Sequence, residues 1–177
     1  MRLFIALDLP ADVRAGLAAW ARQAAPPEVR PVPAGNLHVT LAFLGARGGD
    51  DAAAVVALLP ELSRALPHLR SAGALWLPPW RPGVLTVTLE DDASLASLQA
   101  DLVGALARAI GFELEGRRFR PHVTVGRVAR GTLIDTWRAL DPPPPELHFR
   151  AGGLTLYRSR TSPDGARYER LGGIELR

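Results

Sequence analysis

The chain has 177 residues, of which 47% are hydrophobic, and a formal net charge of +3. This length suits one domain, which we expect to span residues 1–177 as two intertwined lobes, and the apolar content excludes a disordered chain. The absence of cysteine excludes disulfides and thiolate nucleophiles, and because all 21 basic side chains are arginine, a covalent lysine intermediate is excluded as well.

The charge is distributed unevenly. Residues 117–177 contain 12 Arg against 6 Asp or Glu, giving +6, whereas residues 1–116 contain 9 against 12, giving −3. A basic C-terminal third favours a polyanionic ligand such as RNA or a phosphate ester, although a solvated arginine-rich surface gives the same count. No apolar run is long enough to cross a membrane or to form a signal peptide, so we expect a cytoplasmic protein, monomeric by default.

The first half of the chain predicts two strands and two helices. The first helix has apolar residues on one face, and the second is predicted to end at a proline. The predicted elements are a strand over Arg2–Asp8, a helix over Ala11–Ala25, a loop, a strand over Leu37–Leu44 and a helix from Asp50 or Asp51 to about Leu66.

The second half repeats this plan, and so predicts an α+β fold with pseudo-twofold symmetry. Irregular alternation of the elements argues against a continuous parallel sheet. The predicted elements are strands near Ala72–Leu77 and Val84–Glu90, a helix from Asp92 to Ile110 ended by Gly111, strands over Phe112–Glu115 and His122–Val128, a short helix over Leu133–Leu140, and closing strands over Leu147–Tyr157 and Arg167–Leu171.

The tripeptide His-Val-Thr occurs in two of these predicted strands, at positions 84 residues apart. Because strand side chains alternate between faces, the valines should be buried and the flanking residues should share the other face: His38 with Thr40, and His122 with Thr124. A twofold axis would bring both imidazoles to one cleft. One ring can then act as base and the other as acid at a phosphorus atom, while the hydroxyls bind its oxygens. A single strand histidine is more often structural, but the repetition favours catalysis.

We predict no metal and no cofactor for this chemistry. His-x-Thr lacks the second histidine or carboxylate at ligand spacing that a zinc motif such as H-E-x-x-H supplies. The chain also lacks the G-x-S-x-G nucleophile motif and the phosphate-binding G-x-x-x-x-G-K motif.

Four segments resemble the bacterial RNA 2′,3′-cyclic phosphodiesterase family, also called 2′-5′ RNA ligase, within the two-histidine (2H) phosphoesterases. They are "RLFIALDLP", "NLHVTLAFLG", "RPHVTVGRV" and "LTLYRS", and the similarity extends from Arg2 to about Leu171. The resemblance implies a bilobal α+β fold in which two antiparallel sheets flank a central cleft, with helices outside.

The same resemblance implies an activity and roles for the two histidines. Cyclic phosphate ends of RNA would be hydrolysed to a 2′-phosphate, and the reverse reaction would form a 2′-5′ linkage without ATP. His38 would be the proton donor to the 3′-oxygen and His122 the proton acceptor. The spacing of the residues does not itself decide between these two roles.

Three further residues are candidates for binding the substrate. Arg127 could pair with a phosphate, but its odd offset from His122 points it toward the core unless the strand bends at Gly126. Phe43 could stack on a base, although continuation of the buried face is the favoured interpretation. Tyr157 could form a cleft wall. Weaker candidates for contacts with RNA are Trp80, which could instead pack in a lid, and Arg130, Arg158 and Arg160.

Two alternatives to RNA cyclic phosphate hydrolysis stay open. One is a related phosphodiesterase that acts on ADP-ribose cyclic phosphate or 2′-5′ oligoadenylate. The other is a noncatalytic RNA-binding module that uses the basic C-terminal third.

Overall fold

A computed structural model describes residues 1–66, 68–114, 116, 118–129, 131–136, 139–162 and 165–176. These residues form three α-helices and nine β-strands. The helices are α1 (Ala11–Ala24), α2 (Gly49–Leu58) and α3 (Ala93–Ile110). The strands are β1 (Arg2–Asp8), β2 (Val29–Pro31), β3 (His38–Ala46), β4 (Leu69–Leu77), β5 (Val84–Leu89), β6 (His122–Val128), β7 (His148–Phe149), β8 (Gly153–Ser162) and β9 (Gly165–Glu175).

The strands form one open antiparallel sheet with the order β7-β4-β5-β6-β3-β1-β8-β9, and β2 pairs with β6. The expected α+β class with antiparallel strands is therefore confirmed. The two sheets implied by the resemblance are the two halves of this single sheet. They meet where β3 and β6 pair, through the single pair Val39–Val123.

The two halves repeat the same arrangement of elements. In one half β1 is followed by α1, the short strand β2 and then β3, and β1 pairs with β3. In the other half β5, α3 and β6 follow in sequence, and β5 pairs with β6. The strand that carries His-Val-Thr is innermost in each half, so the pseudo-twofold axis passes between β3 and β6.

The predicted termini of α3 are confirmed. The Asp92 carboxylate accepts a hydrogen bond of 2.8 Å from the Leu95 amide, as an N-cap does. Gly111 ends the helix in the left-handed conformation, with φ 61°. Phe112, predicted to begin a strand, instead donates its N–H back to the Leu106 carbonyl and is buried against the helix end, and residues 112–114 form no strand.

Other predicted elements need correction. The second helix ends at Leu58 and continues as a 3₁₀ turn over Leu59–Leu62, because Pro60 has no N–H to continue the α-helical ladder. No helix occurs in the described part of residues 133–140, where Leu133 is 95% exposed and so supplies no buried apolar face. The predicted strand over Leu147–Tyr157 is two strands, since β7 pairs with β4 and β8 pairs with β1 at the other side of the sheet.

Candidate active site

The pair between Val39 and Val123 places both His-Val-Thr motifs on one face of the sheet. Residues paired across antiparallel strands point to the same side, and both valines are fully buried. Their neighbours therefore share the opposite, open face: His38 and Thr40 from β3, and His122 and Thr124 from β6. All four are half-buried. The predicted convergence of the two motifs is present in the structure.

A backbone carbonyl fixes the orientation of each imidazole. His38 Nδ1–H donates to the Asn36 carbonyl over 2.7 Å, and His122 Nδ1–H donates to the Arg120 carbonyl over 2.8 Å. In both cases the acceptor lies two residues upstream. A neutral ring held in this way keeps its Nε2 unprotonated, so Nε2 is the atom that exchanges protons. His38 Nε2 lies 3.0 Å from Thr40 Oγ1.

Two β-bulges bring Arg127 and Phe43 onto the same open face. In β6 the register moves from Thr86–Thr124 to Leu85–Gly126, so Val125 is an extra residue and Arg127 turns away from the core. In β3 the register moves from Ala6–Thr40 to Ile5–Ala42, which turns Phe43 outward in the same way.

The favoured interpretation of Phe43 as a core residue is therefore wrong, since its side chain is 72% exposed. The bulge after His-Val-Thr reverses the alternation on which that interpretation rested. Arg127 is exposed as well. Its odd offset from His122 is therefore compatible with a position at the cleft.

Aromatic rings enclose His38. Its ring stacks on Phe4 at a centroid distance of 4.8 Å and meets the edge of Tyr168 at 5.3 Å. Burial lowers the pKa of His38 below its usual value. The Asn36 carbonyl and the Asp8 carboxylate act in the opposite direction, whereas the charges of Arg127 and His122 lower the pKa of His38 further.

Tyr157 contributes to the site through Asp8. Its hydroxyl donates to Asp8 Oδ1 over 2.8 Å, and Thr155 donates to Asp8 Oδ2 over 2.7 Å. Burial, together with the Asp8 carboxylate, raises the pKa of Tyr157 to about 12. Tyr157 therefore stays protonated at neutral pH and acts as a hydrogen-bond donor.

The open face borders a cleft of about 670 Å³. Its lining includes most of the predicted site residues: His38, Thr40, Phe43, Thr124 and Arg127. His122 is not among the lining residues and lies beside Thr124 on the same face. Tyr157 borders an adjoining cavity of about 230 Å³ that shares His38 and Tyr168 with the cleft.

Several residues of this cleft were not predicted from the sequence. Phe4 and Asp8 were predicted only to be part of a strand, although alternation within "RLFIALD" places both on one face of it. Tyr168 of β9 carries no local motif and reaches His38 only through the strand order. Further lining residues that were not predicted from the sequence are Arg2, Asn36 and Thr161.

Three of the weaker candidates, Trp80, Arg158 and Arg160, are not among the residues that line the cleft. Trp80 is 82% exposed and lines a separate cavity with Leu133. Arg158 and Arg160 form ion pairs with Glu169 of β9, at 3.9 Å and 2.9 Å. Arg130 lies outside the described residues.

Among the described residues, no group of three or more His, Asp or Glu is placed to hold a metal ion. In the same part of the chain, none of the helices has the length and apolar character needed to cross a membrane.

An open antiparallel sheet that carries two His-x-Thr strands on one face defines a two-histidine phosphoesterase. The family comparison agrees, since the model of the 2′-5′ RNA ligase superfamily matches residues 7–163, and the chain belongs to that superfamily. The resemblance found in the sequence and the prediction of an enzyme of this kind are thereby confirmed at the level of the family.

Relatives match along nearly the whole chain. The RNA 2′,3′-cyclic phosphodiesterase of Escherichia coli is 32% identical over 96% of this chain and 93% of its own length. The protein of the same name from Methanocaldococcus jannaschii is 26% identical over 96% and 97%. Among solved structures, a protein of Thermus thermophilus superposes with a TM-score of 0.81 at 30% identity, covering 99% of this chain and 98% of its own. Escherichia coli LigT complexed with 3′-AMP gives a TM-score of 0.77 at 32% identity, covering 99% and 97%.

Proposed function

We propose that the protein hydrolyses RNA 2′,3′-cyclic phosphate ends to 2′-phosphates by two-histidine acid–base catalysis. The observation that carries this proposal is the register of β3 and β6, which places two carbonyl-oriented imidazoles and two threonines on one face. The curated relatives named RNA 2′,3′-cyclic phosphodiesterase support the choice of substrate.

In this mechanism each histidine serves one side of the phosphorus atom. His122 Nε2 accepts a proton from water as the water oxygen attacks phosphorus. The bond from phosphorus to the 3′-oxygen breaks, and protonated His38 donates its Nε2 proton to that oxygen. His38 and His122 lie diagonally across the Val39–Val123 pair, so the two rings flank the same stretch of the open face.

Thr40, Thr124 and Arg127 bind the nonbridging phosphate oxygens. Both hydroxyls stand beside a catalytic imidazole, and the guanidinium lies on the same face after the bulge. Hydrogen bonds to these oxygens become stronger as negative charge grows in the transition state, which is where they accelerate the reaction. Phe43 lies at the cleft wall with an open ring face suited to stacking on the base.

Reversal of the same steps would join RNA ends. A 5′-hydroxyl replaces water as the nucleophile and attacks the cyclic phosphate, giving a 2′-5′ linkage. No activated nucleotide is consumed, which accords with a chain that contains no lysine to carry one.

The test is hydrolysis of a nucleoside 2′,3′-cyclic phosphate in EDTA, with the product identified by NMR of the phosphorus. We expect a 2′-phosphate, and we expect His38→Ala and His122→Ala each to lower kcat by roughly 100-fold or more with the folded structure intact. Full activity in either variant, or activity that requires an added metal ion, would contradict the proposal.

A substrate panel separates the related activities. Faster turnover of ADP-ribose cyclic phosphate or 2′-5′ oligoadenylate than of RNA 2′,3′-cyclic phosphate would indicate that the same two-histidine chemistry serves another phosphodiester. Salt-sensitive RNA binding that survives loss of both histidines, with no turnover of any substrate, would favour a noncatalytic RNA-binding module.

A further inference from the structure

The two catalytic histidines face different partners on the neighbouring strand. His38 of β3 pairs with Asp8 of β1, whereas His122 of β6 pairs with Thr88 of β5. Asp8 and Thr88 are equivalent positions, because each lies on the strand that precedes the helix and the His-Val-Thr strand of its half. The pseudo-twofold symmetry is therefore broken beside the imidazoles, with a carboxylate on one side and a hydroxyl on the other.

The Asp8 carboxylate is held in place by the surrounding strands. Thr155 and Tyr157 each donate a hydrogen bond to one of its oxygens. Gly153 of β8 pairs with Asp8 and leaves room for the Asp8 carboxylate. A Cβ on residue 153 would lie 3.2 Å from Asp8 Oδ2. Thr88 is bound differently, since its hydroxyl donates to the Gly73 carbonyl over 3.2 Å.

We propose that Asp8 is a positioning residue that makes His38, rather than His122, the proton donor of the hydrolytic reaction. The inference rests on the proposed function and adds the physical origin of the two roles. A fixed negative charge beside an imidazole favours its protonated form, and directly paired strand residues lie about 5 Å apart. His122 pairs with the neutral Thr88 at the equivalent position, so its strand partner supplies no such charge.

The Asp8 charge acts against a strong opposing influence. Burial within the aromatic rings lowers the pKa of His38, and nearby positive charges do the same. The Asp8 carboxylate and the Asn36 backbone carbonyl both act to raise the pKa of His38, and so oppose burial and the positive charges. The titratable and charged groups that face His38 or share a cavity with it are Arg2 and Asp8 of β1, Arg14 of α1, His122 and Arg127 of β6, Tyr157 of β8, and Tyr168 and Arg170 of β9.

The test replaces Asp8 with the isosteric Asn, which removes the charge and retains hydrogen-bonding atoms. We expect the pKa of His38, followed by NMR of the ring nitrogens, to move to lower pH. Because the donor must be protonated, the alkaline limb of the kcat/KM profile should follow it, and kcat/KM at pH 8 should fall roughly 3- to 10-fold. At low pH, where His38 is protonated in both proteins, the difference should disappear.

Asp12→Asn is the matched control, since it removes the same charge from an exposed position in α1. We expect it to leave both the His38 titration and the profile unchanged. In the other half, Thr88→Asp places a carboxylate beside His122, and relative to Thr88→Asn it should move the acid limb of the kcat/KM profile to higher pH.

An Asp8→Asn protein that folds and keeps the wild-type His38 titration and alkaline limb would overturn the inference, as would an equal drop in kcat/KM at all pH values. If Asp8→Asn fails to fold, the two Thr88 variants decide, and an acid limb of the kcat/KM profile that is the same in Thr88→Asp and Thr88→Asn overturns the inference. Either result leaves the two-histidine mechanism standing, because that mechanism is tested separately, by the activity of His38→Ala and His122→Ala and by hydrolysis in EDTA.

Discussion

Identical tripeptides acquire different properties from the side chains around them. Both histidines donate Nδ1–H to a carbonyl two residues upstream, so the local backbone orients each ring. Only His38 is stacked on Phe4 and enclosed by Tyr168, and burial accordingly lowers its pKa. The surroundings that distinguish the two rings come from β1, β8 and β9, far from either motif in sequence.

Phe43 provides a prediction at the scale of one side chain. Its exposed ring lies in the cleft beside His38, and stacking of a base on an aromatic ring contributes about 1–3 kcal/mol. We expect Phe43→Ala to raise KM for a nucleoside 2′,3′-cyclic phosphate roughly 5- to 100-fold with little change in kcat, as measured by steady-state kinetics.

Trp80→Ala is the control for this experiment. Trp80 is the more exposed aromatic ring but lines a different cavity, so its loss should leave mononucleotide kinetics unchanged. An equal effect of both substitutions, or no effect of Phe43→Ala, would argue against base stacking at Phe43.

The strands that carry the motifs share a second feature, a bulge directly after the threonine of each motif. The extra residues are Leu41 in β3 and Val125 in β6. Each bulge keeps two consecutive residues on the core side and returns the next one to the open face. The cleft thus gains a phenylalanine from one strand and an arginine from the other.

Gly126 in the β6 bulge provides a prediction at the scale of the element. It lies between β5 and β2, and a Cβ there would meet Val29 Cγ1 at 2.4 Å, with a stiff β-branched side chain as the neighbour. We expect Gly126→Ala to lower the free energy of unfolding by about 1–3 kcal/mol, measured by denaturant titration.

Gly16 in α1 is the matched control, because nothing lies within 4 Å of its added Cβ. Gly16→Ala should raise the free energy of unfolding by roughly 0.5–1 kcal/mol, since alanine favours the helix. A Gly126→Ala protein as stable as the wild type would show that β2 does not pack closely on the bulge.

At the scale of the whole molecule, one chain supplies both halves of the site. The halves meet at the single pair Val39–Val123, and beyond it β3 and β6 have no further paired residues, which leaves the space between them open. Both of the proposed catalytic pairs, His38 with Thr40 and His122 with Thr124, come from the same chain, so the proposed mechanism requires no residue of a partner subunit.

We therefore predict that a single chain is fully active. Specific activity should stay constant on dilution through a range in which sedimentation velocity shows only the mass of one chain. A loss of activity per chain on dilution, accompanied by dissociation of a larger species, would contradict this prediction.

The sequence by itself determined the α+β class, the strands of both motifs, the ends of α3 and the pair of His-x-Thr sites. These follow from alternation, helix capping and an exact repeat, all of which are local. Only the tertiary structure decided the exposure of Phe43 and Arg127, the separation of β7 from β8, and the placement of Asp8 beside His38. A bulge, a strand order and a charge across a strand pair depend on residues that are distant in the chain, so local sequence patterns do not predict them.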